Sequence, residues 1–264
     1  MLEAQLLSKP KTQDPTIGAG QIVFDTPGTS NPWVVPDGVF FISSVLVCPG
    51  AHGSPPTSAV SGHGGDLRWM KAIAVTPGET LTVVIGRNSV YPSTIATPTI
   101  LMRGSTVLLQ AAGGDTGIVS TPIDATVGIG GGTGGSKRLA GTATAGGGGA
   151  AGYSGNGGTG TAGTGGGGGG GWEYTFNGNQ FGQAGGGVGL LGEGSNGTVG
   201  VSNGTAGQAG GGGSGGTSGN GPNAGFYGGG GGSYSTGGGP GGKGGARLIW
   251  GSGRFYPSTK TADV

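Results

Sequence analysis

Charge is scarce in this 264-residue chain: 12 Lys and Arg face 11 Asp and Glu, 9% of residues, for a net charge of +1. A surface that binds phosphate backbones needs clustered basic side chains, so this balance argues against a nucleic-acid partner. Cysteine is rarer still. The single Cys48, at the end of the apolar run Val45-Leu46-Val47-Cys48, excludes an intrachain disulfide and a multi-cysteine metal site and reads as a buried strand thiol. No window approaches ~18 consecutive apolar residues, the length of a membrane-spanning helix, so no membrane insertion is expected. The opening MLEAQLLSKPKTQDP carries Glu3 and a broken apolar stretch where a signal peptide has a basic start and a long apolar core, which points to synthesis and folding in a cytoplasm. Proline numbers only 15 and no glycine triplet is sustained, which sets collagen aside.

What is present divides the chain into four parts. Residues 1–20, with Leu2, Leu6 and Leu7 followed by Lys9-Pro10-Lys11 and Asp14-Pro15, read as an arm that the prolines keep extended. Residues 21–127 read as a β-rich domain. Its strands are Gln21–Phe24, Val39–Val47, Leu67–Val75, Thr80–Ile85, Thr99–Arg103 and Thr106–Ala111, short, rich in β-branched residues and separated by Pro36-Asp37-Gly38, Pro49-Gly50, Pro77-Gly78 and Gly104. Residues 128–245 are about half glycine. The chain closes with residues 246–264, where Ala246-Arg247-Leu248-Ile249-Trp250 reads as a last strand returning to the β part. No long helix is indicated anywhere.

Backbone accounting decides what the glycine block builds. Glycine weakens strands because it packs no side chain, and ordering it costs roughly 0.5–1 kcal/mol per residue more than alanine in regular structure. The remaining option is a bundle of extended left-handed helices, three residues per turn, that make no internal hydrogen bonds and bond sideways to their neighbours. Only chains nearly free of Cβ atoms approach closely enough for that. A run of about eight residues spans roughly 25 Å at the rise of such a helix, and seven or so runs suit a layered bundle. The expected fold class is therefore mainly β with a non-α polyglycine II helical bundle, a layered sandwich with little or no α-helix.

The glycine runs with aromatic interruptions resemble the receptor-binding adhesins at the tips of long tail fibres in some T-even-like bacteriophages. In that family a domain of packed polyglycine II helices carries variable loops at its far end. Pro32-Trp33-Val34-Val35-Pro36-Asp37-Gly38-Val39, Gly62-His63-Gly64-Gly65-Asp66-Leu67-Arg68-Trp69 and Val75-Thr76-Pro77-Gly78-Glu79-Thr80-Leu81-Thr82-Val83-Val84-Ile85-Gly86 look like the opening of glycine-rich phage tail proteins. Gly245–Gly251 with Tyr256-Pro257-Ser258-Thr259 is similar to their closing segment. The resemblance spans about Trp33 to Thr259; residues 1–20 lie outside it. It implies a virion protein at the tail-fibre tip whose partners are a bacterial outer-membrane protein or polysaccharide and the fibre protein, with Leu2, Leu6 and Leu7 in the attaching arm.

Catalytic chemistry finds little support. Gly130-x-Gly132-x-x-Gly135 satisfies GxGxxG without a strong strand before it, and Gly237 to Gly244 reads GxxxxGKG, with glycine where a Walker loop needs Ser or Thr for magnesium. His52 and His63 read as surface turn histidines, with Asp66 the one carboxylate at short spacing. The sequons at Asn196 and Asn203 read as turns. No Ser-His-Asp or paired-carboxylate arrangement stands out, so no enzyme, cofactor or metal is expected. The interruptions carry the binding hypothesis: Tyr153, Trp172, Tyr174, Phe176, Phe181, Leu190, Leu191, Phe226, Tyr227 and Tyr234 lie beside turns such as Asn177-Gly178-Asn179. Aromatics there either cover the bundle or anchor a receptor. The readings are thus an adhesin, a purely structural virion or fibre component, and, least supported, a depolymerising enzyme.

Overall fold

The computed structural model describes residues 18–54, 60–89, 96–113, 118–126, 128–135, 146–160, 163–176, 179–201, 209–221, 223–234 and 237–258. Among them there is no helix. The strands are β1 (Gly20–Phe24), β2 (Ser30–Val34), β3 (Phe41–Val47), β4 (Leu67–Ala74), β5 (Thr80–Val84), β6 (Thr99–Arg103), β7 (Thr106–Ala111), β8 (Ile129–Gly132), β9 (Glu173–Phe176), β10 (Asn179–Gly182), β11 (Ser233–Tyr234), β12 (Gly237–Gly238) and β13 (Gly245–Trp250).

Two antiparallel sheets, ordered β1-β13-β3-β4-β8 and β2-β5-β6-β7, face each other across one core. Ile42, Leu46, Ile73 and Leu248 from the first meet Trp33, Leu81, Val83, Leu101 and Leu109 from the second. Each fully buried side chain of this size contributes roughly 1.5–3 kcal/mol. The five-stranded sheet is covered on its other face too. Val45, Val47, Leu67 and Ile249 join Ala150, Ala151, Tyr153, Val188 and Leu190 of the glycine-rich region in a second core. Burial on both faces is why Val45-Leu46-Val47 is continuously apolar where a one-faced strand would alternate. β2 escaped the sequence reading because Pro32 interrupts it. It is an edge strand, where a residue without an amide donor is tolerated.

Beyond the sheets the backbone bonds with a period of three. In segment 146–152, Gly147 and Ala150 donate to Gln183 and Gly186, Gly148 and Ala151 to Gly62 and Gly65, and Gly149 and Gly152 to Gly158 and Gly155. Its carbonyls accept from Gly168 and Gly171, from Gly230 and from Gly135. One segment is thus bonded to six others. A strand in a sheet has two such neighbours, whereas a threefold helix without internal bonds points its amides outward in three directions and is surrounded. This is polyglycine II packing.

Glycine is required there for closeness, not for unusual torsion. A Cβ on Gly148 would stand 1.9 Å from the Gly135 carbonyl oxygen, and one on Gly168 1.9 Å from that of Gly186. Left-handed glycines such as Gly192 and Gly215 occur instead where the chain reverses. The bundle also draws on residues outside the block. Gly50 and Gly53 donate to Gly242 and Gly239, and Gly62 and Gly65 to Gly231 and Gly228, so segments 48–54 and 60–66 belong to it. The segments are shorter and more numerous than seven or so runs of eight residues. Gly130 to Gly132, within the apparent GxGxxG, lie in β8, paired with β4.

Candidate functional site

Among the described residues, hydrogen-bond register places the reversals of the bundle at one of two ends. The described flanks of seven connections stand at the end away from the sheets, here the tip: Ser54 and Val60, Gly135 and Gly146, Gly160 and Gly163, Trp172 and Gln183, Val201 and Ala209, Gly219 and Ala224, and Gly232 and Gly239. Bonds at the described flanks close several of them, including Gln183 N to Trp172 O at 2.7 Å, Gly239 N to Gly232 O at 2.8 Å and Ser54 N to Val60 O at 2.6 Å. Two hairpins stand there side by side, β9–β10 and β11–β12. In the first, Phe176 pairs with Asn179; Asn177 and Gly178, read as a turn from sequence, lie outside the described residues.

The ten candidate residues divide between the two ends. At the tip are Trp172, half-buried, Phe181, buried with 9% exposure, and the backbones of Tyr174 and Phe176 in β9 and of Tyr234 in β11. The side chains of those three tyrosine and phenylalanine residues lie outside the described part of the chain, as do Leu2, Leu6 and Leu7 entirely. Val201, 47% exposed beside a tip connection, was passed over in sequence because a lone valine carries no aromatic signal.

Tyr153, Leu190, Leu191, Phe226 and Tyr227 sit at the opposite, sheet end. Tyr153 and Leu190 are buried there and do not belong to an exposed contact surface. The Tyr153 ring stacks on Tyr256, centroids 5.8 Å apart. Its hydroxyl donates to the Gly189 carbonyl at 2.9 Å and accepts from the Gly192 amide at 3.2 Å. Tyr256 Oη donates to the Leu190 carbonyl at 2.7 Å, and buried Arg247 donates to the same oxygen at 3.1 Å. These side chains seal the bundle against the five-stranded sheet because the loop 189–192 would otherwise bury unpaired backbone groups. Burial pushes the Tyr153 phenol well above its ordinary pKa, with Tyr256 adding to the shift.

Phe226 and Leu191 are about half exposed at the sheet end. Lys243 Nζ lies 5.2 Å from the Phe226 ring and 5.4 Å from the Tyr227 ring while pairing with Asp25 Oδ2 at 2.5 Å. Tyr227 Oη donates to the same carboxylate oxygen at 3.3 Å. Burial, the Asp25 charge and that hydrogen bond push the Tyr227 phenol up to about 12. The lysine of the Walker-like string is thus committed to a carboxylate.

His52 and His63 lie inside bundle segments, not in turns; Ala51 N donates to the His63 carbonyl at 2.8 Å. Asn196-Gly197 is likewise a bundle member, Gly197 donating to Gly167, and the sequon at Asn203 lies outside the described residues. Asp66 is structural in its contacts: it accepts from Ser120 Oγ at 2.6 Å and from the Gly134 amide at 2.8 Å, with Arg68 at 3.7 Å. Among the described residues no three His, Cys, Asp or Glu side chains gather as a metal site, and no helix is long and apolar enough to cross a membrane. Cys48 is a buried free thiol just after β3. No family model, curated protein or solved structure matches this chain.

Proposed function

We propose that this chain is the adhesin at the tip of a phage tail fibre and grips a bacterial surface receptor, an outer-membrane protein or a polysaccharide, through the connections at the bundle tip. The observation that carries the reading is the gathering of seven connections at one end of a backbone-bonded bundle, with both sheets and the incoming chain at the other. Such a bundle holds loop stems in fixed positions while leaving loop sequence unconstrained, which is what a recognition surface needs. Weak contacts by single tips hold a virion when several fibres engage together, because tethering raises effective concentration.

The burial of Tyr153, Phe181 and Leu190 favours a second reading, a purely structural fibre component whose aromatics cover the bundle. Cell binding separates the two. The purified chain is expected to bind intact host cells and to block phage adsorption, and exchanging residues 173–182 for a Gly-Ser linker is expected to abolish both with the melting temperature held. A chain that folds but neither binds cells nor competes with phage supports the structural reading.

A further inference from the structure

The strand ends opposite the bundle frame a cleft of about 170 Å3, lined chiefly by Phe41, Lys71, Ala72, Trp250, Arg254 and Phe255. Chain continuity sets its position. β3 runs from Phe41 into the bundle and β13 runs out of the bundle to Trp250, so both residues mark the pole farthest from the tip. The described chain begins at the same pole: Gly20 pairs with Trp250, and Ala19 packs so closely on Gly251 that a Cβ there would lie 2.7 Å from its Cα.

The lining combines aromatic surface with one available cation. Phe41 is 38% exposed, and Trp250 and Phe255 are half-buried. Arg254 is committed to the wall, its guanidinium donating to the Gly20 carbonyl at 2.6 Å and to Gln21 Oε1 at 3.0 Å. Lys71 is exposed at the rim with its ammonium 4.4 Å from the Phe255 ring centroid, and among the described residues it has no carboxylate partner. Small-molecule sites usually enclose roughly 300–1,000 Å3, so this cleft suits a single inserted side chain better than a whole ligand.

We propose that this cleft is where the chain is held on its fibre. The occupant is a segment of the fibre protein that seats one bulky apolar side chain among Phe41, Trp250 and Phe255 and sets a carboxylate against Lys71. Aromatic pockets that desolvate an anchor, flanked by a complementary charge, are where binding energy concentrates at protein interfaces. Holding the chain by this pole leaves all seven tip connections facing away from the particle. The inference rests on the adhesin reading.

The test expresses the tagged full chain, and its Lys71→Glu and Phe41→Ser variants, during infection by the phage that encodes it, and quantifies the tag in purified particles. Both variants are expected to fall at least about tenfold in incorporation, the loss typical of a removed interface anchor. Purified variants should melt and bind host cells like the unaltered chain. Should Lys71→Glu melt lower, Lys71→Gln removes the charge at nearly constant length. Unchanged incorporation of the variants overturns the cleft and leaves the adhesin reading standing. Absence of the unaltered chain from particles overturns the adhesin reading and the cleft with it.

Discussion

Replacing Gly148 with alanine tests the bundle most directly. The added Cβ would stand 1.9 Å from the Gly135 carbonyl oxygen, 2.6 Å from its carbon and 3.0 Å from the Gly64 nitrogen. All three are backbone atoms, so no side chain can rotate away; a whole segment must shift by more than an ångström. The bonds at risk are Gly148 N to Gly62 O at 3.0 Å, Gly135 N to Gly149 O at 2.8 Å and Gly64 N to Gly135 O at 3.0 Å. Overpacking costs about 1–3 kcal/mol, and each buried backbone group left unpaired about 1–3 kcal/mol. Against these, alanine restricts the unfolded chain and returns only about 0.4–1 kcal/mol. The net expectation is a loss of about 3–5 kcal/mol, and at roughly 2–4 °C per kcal/mol for a domain of this size the melting temperature should fall by about 6–20 °C. Gly155→Ala is the control, because the nearest atom to its added Cβ, the Gly166 Cα, is at an ordinary 3.4 Å and its φ is not left-handed. That variant should stay within about 1 kcal/mol of the parent. Thermal melts that place the two variants together would refute backbone-to-backbone packing as the reason for the glycine.

Tyr153→Phe deletes a buried hydroxyl between the Gly189 carbonyl and the Gly192 amide and should cost about 1–3 kcal/mol, measured by denaturant titration. Asp66→Ala removes the acceptor of the Ser120 hydroxyl and of the Gly134 amide and the counter-charge of buried Arg68, whose guanidinium keeps its bonds to the Leu67, Thr121 and Gly132 carbonyls, so a loss of about 3–5 kcal/mol is expected in the same assay. Tyr227 has a folded pKa of about 12, above the roughly 10 of a free phenol. An acid whose folded pKa is raised contributes its stability fully below about pH 10 and loses it as pH rises toward 12. A phenolate absorbance titration should therefore show a component near pH 12 that Tyr227→Phe removes, beside that of buried Tyr153, and a Tyr227→Phe titration that matches the parent above pH 10 would contradict the burial of Tyr227 against Asp25.

Most of the strands were legible because they are short apolar runs bounded by Pro-Gly or Gly turns, as in β4, β5, β6 and β7. β8 was not. Three of its four residues are glycine, Gly130-Gly131-Gly132, so it reads as bundle although it pairs with Leu67–Met70 of β4. Segments 48–54 and 60–66 failed in the opposite sense, since Cys48, Pro49, His52 and His63 disguise them. A bundle member needs glycine only where a neighbouring backbone approaches, and here those positions recur at intervals of three, Gly50 with Gly53 and Gly62 with Gly65. Spacing of three, rather than glycine content, is the sharper sequence signal of this packing, because it is the number of residues per turn of the helix.

The candidate site was harder to read for a topological reason. Each bundle segment reverses the chain, so successive interruptions alternate between the two ends. Leaving the sheet at Gly132, the chain runs to the tip by Gly135, returns through 146–152 to the sheet end at Tyr153, and reaches the tip again by Gly160. Continued, the alternation puts the Trp172–Phe181 hairpin and Tyr234 at the tip and Leu190, Leu191, Phe226 and Tyr227 at the sheet end. Two aromatics beside similar Gly-rich turns therefore reach opposite ends. At the sheet end Tyr153 packs against Val45, Leu67 and Ile249 and is buried; at the tip, away from that sheet, Phe181 is buried in β10 and Trp172 is half-buried. Adjacency to a turn could not distinguish them, but parity could. Counting reversals outward from the last sheet strand separates interruptions at the sheet end from those at the tip, and it requires only knowing that the runs are single helices.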